Sequence, residues 1–126
     1  MNPLLNDAFE RAEDSFVDAQ LLLEHGRYAG CVNRCYYSVY YLAHALLLLK
    51  RIHAKTHRGV IQKFSETYII TKEFPERLID IFGGVFQKRL SADYDLDTHV
   101  TANEAAKALA DTREFLDTIK RILENK

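Results

Sequence analysis

Between Cys31 and Leu49 the chain reads Cys-Val-Asn-Arg-Cys-Tyr-Tyr-Ser-Val-Tyr-Tyr-Leu-Ala-His-Ala-Leu-Leu-Leu-Leu. On a helical net its apolar residues run almost all the way round. A surface helix of a small domain needs a single apolar stripe, so this one has to be covered on several sides. It is expected as the central strut of a helical domain, with a subunit interface as one use of its far side. Tyr36, Tyr37, Tyr40 and Tyr41 add hydroxyls that need partners wherever they are buried.

The remaining composition suits such a strut. Only two prolines and five glycines in 126 residues favour long helices over a many-stranded sheet. That length is expected to form one domain, residues 1–126, with a self-sufficient core. A net charge of −1 gives no global field of the kind that marks a nucleic-acid binder. Cys31 and Cys35 stand four apart on one helix face, where a disulfide would distort the helix. Reduced thiols and a cytoplasmic protein are expected. The N-terminus shows no basic region followed by an apolar run, so no secretory signal is expected. Asn33, Arg34 and His44 interrupt the strut, which falls short of the roughly 20 apolar residues of a membrane span.

Helix boundaries follow from local chemistry. Asn2 and Pro3 open a first helix, whose seam Leu5, Phe9, Ala12, Phe16, Ala19 and Leu23 alternates spacings of four and three. Gly26 is placed to end it in a left-handed cap. The strut runs from about Tyr28 to about Arg51, and the short link makes the pair an antiparallel hairpin. Thr56 caps a shorter helix carrying Val60, Ile61, Phe64 and Tyr68. A further helix opens at Pro75 and carries Leu78, Ile79, Phe82, Val85, Phe86 and Leu90. Its interior Gly83-Gly84 pair costs about 2 kcal/mol of helix propensity, so a kink, a break or a close helix approach is expected there. Tyr94 to Val100 reads as a loop. Thr101-Ala-Asn-Glu104 is then a capping box for the last helix, with Ala105, Leu109, Thr112, Phe115 or Leu116, Ile119 and Leu123 inward. The expected fold is all-α: an up-and-down antiparallel bundle of four main helices plus one shorter helix.

Charge is uneven along the chain. No acidic residue falls between Glu24 and Glu66, whereas Arg27, Arg34, Lys50, Arg51, Lys55, Arg58 and Lys63 do. These cations suit phosphate, from a nucleotide or an RNA strand. They equally suit the negative end of the strut and the acidic faces of neighbouring helices. Arg89-Leu-Ser-Ala-Asp93-Tyr94 is open in the same way. It reads as a surface i, i+4 ion pair worth about 0.3–0.5 kcal/mol, or as an Arg–Asp–Tyr cluster facing the strut, where Tyr36 or Tyr37 joins it. The four strut tyrosines read as core, as a stacking surface for a base, or as a dimer seam.

Catalytic motifs are scarce. There is no Gly-rich phosphate loop and no His-Glu-x-x-His, and no cofactor or metal site is expected. His44 reads as a hydrogen-bonded core histidine. Asp93, Asp95 and Asp97 alternate in the presumed loop without the bidentate glutamate of a calcium loop.

The segment Asn33 to Leu47, followed by Lys55-Thr-His57, Phe64 and Arg89-Leu-Ser-Ala-Asp-Tyr94, resembles the HEPN (higher eukaryotes and prokaryotes nucleotide-binding) domain over essentially the whole chain. It is most similar to that superfamily's small stand-alone prokaryotic proteins. The resemblance implies an up-and-down bundle, usually a homodimer, in many cases encoded beside a minimal nucleotidyltransferase in a toxin–antitoxin-like pair. Other branches are metal-independent ribonucleases with an arginine, four to six residues and a histidine at the start of the last long helix. Here His99 lies ten positions after Arg89, out of that register. Arg51 and His57 meet the spacing but follow the strut.

The reading placed first is therefore a non-catalytic binding or substrate subunit for a nucleotidyltransferase partner, dimeric, with a possible site for nucleotide or RNA phosphate. Its polar groove is assigned to Arg34, Tyr36, Tyr37, Arg89, Asp93 and Tyr94, and its basic rim to His57 and Arg58. The alternatives are a ribonuclease toxin using Arg51 and His57, or Arg89 with His99, and a dimerising scaffold whose polar cluster only fixes the fold.

Overall fold

The structure, a computed structural model, describes residues 2–94 and 99–126. Five helices follow one another in it: α1 (Pro3–Glu24), α2 (Tyr28–Leu49), α3 (His57–Phe64), α4 (Arg77–Tyr94) and α5 (Ala102–Glu124), with a π-helical turn over Ser65–Ile69. Among the described residues there is no strand, and no helix is long and apolar enough to cross a membrane. The expected loop aspartates Asp95 and Asp97 lie outside the described residues.

The bundle is organised around α2, against which α1, α3, α4 and α5 all pack. Eleven of its 22 residues are buried, which is what its all-round apolarity demands. Its interface with α1 is the most extensive in the molecule, and it is built from small side chains. The buried row on α1 is Leu5, Ala8, Ala12, Ser15 and Ala19, while Phe9, Phe16 and Leu23 are only half-buried. The row facing α2 is thus rotated from the expected seam. Alanines let the two backbones approach until Ser38 Oγ donates to the Ala12 carbonyl at 2.8 Å.

Helix ends use the expected chemistry. Asn2 Oδ1 accepts from Leu4 N–H at 2.7 Å, and Thr56 Oγ1 accepts from Gly59 N–H at 2.9 Å. Thr101 and Glu104 exchange both bonds of a capping box at 3.1 Å each. Gly26, at φ +71°, turns the chain out of α1. Arg51 does the same after α2 with φ 59°, and Ile52 N–H then reaches back to the Leu47 carbonyl at 3.0 Å. A side chain in that left-handed region is strained by about 1–2 kcal/mol.

Three local expectations need correction. Tyr68 lies in the π-helical turn and not in α3, and its hydroxyl donates to the Leu46 carbonyl of α2 at 2.5 Å. The regular part of α4 starts at Arg77, two residues after Pro75, because the Pro75 carbonyl accepts from Leu78 N–H in a tighter turn. Gly83 and Gly84 neither break α4 nor admit a close neighbour, since a Cβ added to either would meet nothing within 4 Å.

Candidate functional site

The outward side of α2 carries Tyr37, Tyr40, Tyr41 and His44, all half-buried, while Tyr36 is turned inward and has no exposed surface. His57 opens α3, which lies back along α2. There the Tyr36 hydroxyl and His57 Nδ1 share a hydrogen bond of 2.5 Å. We assign the donor role to the Tyr36 hydroxyl, which places the proton of a neutral His57 ring on Nε2. The two residues are 21 apart in the chain, so the bond ties α3 to the strut.

His57 also completes a stack of three rings. Tyr40 lies against the His57 ring at 4.7 Å between centroids, and against His44 at 5.6 Å with the planes within 7° of parallel. Tyr37 meets the Tyr36 and Tyr40 rings edge-on.

Two arginines converge on Tyr37. Arg89, from α4, sets its guanidinium carbon 5.2 Å from the Tyr36 ring and 5.3 Å from the Tyr37 ring. Arg34, on α2, lies 5.5 Å from the Tyr37 ring and donates from Nη2 to Ser15 Oγ of α1 at 2.8 Å. In each arginine Nε is buried and has no hydrogen-bond partner. The expected Arg89–Asp93 pair forms as an ion pair without a hydrogen bond, with Nε 3.5 Å from Oδ2. Arg58 lies over Phe86 at 5.1 Å and is exposed, which puts a further cation at the rim.

The electrostatic consequences have one sense. Burial, and then the positive charge of Arg89, hold the His57 pKa below the ordinary imidazole value. Burial lifts the Tyr36 hydroxyl well above the usual phenol range, with Arg89 pulling the other way. Tyr40 is raised by burial and by Tyr37. At neutral pH the site therefore holds a neutral imidazole and protonated phenols beside arginine cations.

Of the residues singled out from the sequence, the structure brings together Arg34, Tyr36, Tyr37, His57 and Arg89, with Asp93 at the edge and Arg58 on the rim. Tyr94 is not among them. It is 72% exposed and, among the described residues, makes no ring contact. Arg51 is left behind because His57 folds back to the level of Tyr36 and Tyr40. The end of α2 lies roughly 14 Å along the axis beyond Tyr40. His99 is exposed after the undescribed stretch and, among the described residues, pairs with nothing in the groove.

Sequence reasoning missed Ser15 as the anchor of Arg34. The available signal was a polar residue in register with Ala8, Ala12 and Ala19, which needs a partner once that row is buried. It also treated His44 as a hydrogen-bonded histidine, whereas its Nδ1 is buried without a partner and its contact is the Tyr40 face. Among the described residues no three His, Cys, Asp or Glu side chains stand together as metal ligands.

Comparison with known proteins agrees with this architecture. The family model of the HEPN domain matches residues 5–122. A protein of Methanocaldococcus jannaschii named "Putative toxin MJ0142" is 34% identical over 122 residues, 97% of this chain and 83% of the relative. A UPF0332 protein of Thermotoga maritima is 30% identical over 115 residues, 91% of this chain and 87% of its own length. The crystal structure of TT1696 from Thermus thermophilus superposes with a TM-score of 0.77 over 94% of this chain and 97% of that one. At 19% identity, that likeness speaks for the fold alone.

Proposed function

Since this chain belongs to the HEPN domain family, we propose that it is a toxin-like binding module whose groove between α2, α3 and α4 takes a phosphate-bearing ligand. In this reading it is the non-catalytic binding or substrate subunit of a minimal nucleotidyltransferase and works as a homodimer. The toxin name of the Methanocaldococcus jannaschii relative, aligned over 97% of the chain, supports the coarse class.

The observation that carries the reading is Arg89. Its guanidinium lies against Tyr36 and Tyr37, its side chain is only 17% exposed, and its Nε lacks a hydrogen-bond partner. Asp93, 3.5 Å from that Nε and without a hydrogen bond to it, offsets the charge only in part, which leaves a half-buried cation that a further anion would stabilise. Guanidinium geometry favours phosphate and carboxylate oxygens, taken two at a time.

Thermal denaturation with and without nucleotides tests the proposal. A ligand at 100 times its dissociation constant stabilises by about 2.7 kcal/mol, or about 10 °C for a chain of this size. The shift should disappear in Arg89→Ala. No shift with any nucleotide would refute the phosphate site and leave the dimerising scaffold. Light scattering that gives a monomer at micromolar concentration would refute the homodimer. Failure of a co-expressed minimal nucleotidyltransferase to co-purify would refute the partner.

One observation favours a second reading, a metal-independent ribonuclease. His57 is kept neutral beside the cation of Arg89, and a neutral imidazole next to a fixed positive charge suits proton abstraction from a ribose hydroxyl. That pair differs from both pairs expected from the sequence. Incubation with total RNA and no metal separates the two readings. RNA left intact supports the binding module, and cleavage lost in His57→Ala supports the nuclease.

A further inference from the structure

We infer that a second site, between α1 and α2, binds a free amino acid with a branched aliphatic side chain. It is a cavity of about 300 Å³, a size in the range of small-molecule sites, and none of its lining residues belongs to the arginine–tyrosine groove. Ala8 and Ala45 are buried at its base and, carrying only methyl groups, leave the hollow between the helices. Leu4 and Leu48 stand at its mouth. That lining is apolar and suits a hydrocarbon side chain.

Three polar groups open onto the same cavity without matching partners. His44 Nδ1 is buried and has no hydrogen-bond partner, a cost that persists until something meets it. Asp7 and Arg11 stand one turn apart on α1, at a spacing where such a pair ordinarily meets. Here, among the described residues, neither makes an ion pair, and the Arg11 guanidinium carbon lies instead 5.9 Å from the centre of the Tyr41 ring.

Opposite charges held apart beside an apolar hollow fit a zwitterion. Its ammonium can meet the Asp7 carboxylate while its carboxylate meets the Arg11 guanidinium. Nδ1 of a neutral imidazole accepts or donates according to the tautomer, and a zwitterion answers either way, with its ammonium or its carboxylate. Ligands of a single charge fare worse. Glu10 and Asp14 flank Asp7 and Arg11 on α1, so three acidic groups surround one basic group. They repel a lone carboxylate, and a lone ammonium is set against Arg11 with no negative group to offer it. A molecule of zero net charge avoids both penalties.

Calorimetric titration of the full chain with leucine, isopentylamine and isocaproate tests this, since the last two are leucine without its carboxylate and without its amino group. Leucine should bind at least about tenfold more tightly than either, because each analogue has lost one charge-assisted contact. Arg11→Gln should bring leucine to within about twofold of isopentylamine, and Asp7→Asn to within about twofold of isocaproate. Both side chains are exposed, so both variants should fold. Methyl chemical shifts of Ala8 and Ala45 should move as leucine is added. An analogue of single charge that binds as tightly as leucine overturns the inference in favour of that ion. Leucine affinity unchanged in both variants, methyl shifts that stay still, or no binding of leucine overturns it outright. The nucleotide test of the groove is decided separately, since neither substitution touches a groove residue.

Discussion

Replacing Tyr36 by phenylalanine isolates the link that joins α3 to the strut. Tyr36 has no exposed surface, and its ring contacts with Tyr37, Phe82 and Phe86 remain when the hydroxyl is removed. What is lost is one hydrogen bond to His57 Nδ1. A neutral bond of this kind contributes about 1 kcal/mol net, and for 126 residues that corresponds to a fall in Tm of about 4 °C. The cost should depend on pH, with a sign that follows from the tautomer. While the imidazole is neutral, Nδ1 accepts the tyrosine proton. Once it is protonated, Nδ1 carries its own hydrogen and the bond cannot form in that sense. The penalty of Tyr36→Phe should therefore be complete at pH 8 and shrink toward pH 5. Calorimetric melts of both proteins across that range are the assay. A penalty that stays constant or grows on acidification would mean that Nδ1 carries the proton and Tyr36 accepts it, and the assignment of the donor role to the hydroxyl would be wrong.

Other expectations follow from the same physics. Wild-type stability should fall as pH drops from about 6.5 toward the depressed pKa of His57, because the folded state holds that proton less tightly than the unfolded chain. His57→Gln should flatten the profile in that window, as read by urea denaturation. Gly83→Ala and Gly84→Ala should each stabilise by about 1 kcal/mol, since the added methyl meets no atom within 4 Å. A lower Tm in either would contradict the open surface seen there. Thr101→Ala should cost about 1 kcal/mol by breaking the capping box, visible in Tm. Arg51→Gly should stabilise by about 0.5–1 kcal/mol through relief of its positive φ, and titrations should show nucleotide affinity unchanged.

What could be read from the sequence divides by distance along the chain. The caps at Asn2, Thr56 and Thr101 are decided by side chains within three residues of the backbone groups they serve, and the turn at Gly26 by its freedom to take a positive φ, so residue identity was enough to find them. The central position of α2 followed from an apolar surface too wide for one neighbour. The family was legible because its pattern runs through that helix and into Arg89. The links that shape the groove were not legible. Arg34 to Ser15 and Tyr36 to His57 span 19 and 21 residues, and they depend on how closely α1 and α3 approach α2. Which arginine would stand beside His57 turned on how far α3 folds back, and spacing in the chain pointed to Arg51. The face of α1 turned inward was likewise misjudged, since periodicity marked the large apolar residues and the close contact uses the small ones.

The groove lies across a seam in the molecule. One wall, with Arg34, Tyr36 and Tyr37, belongs to the hairpin of α1 and α2, whose contacts are local and extensive, whereas His57 and Arg89 stand on helices from later in the chain that pack against it less extensively. Anything that holds both walls at once therefore clasps the later helices to the hairpin, and its occupancy must be coupled to their partial detachment. Amide hydrogens of α3 and α4 would then exchange more slowly with the groove filled, while those inside the hairpin would change least.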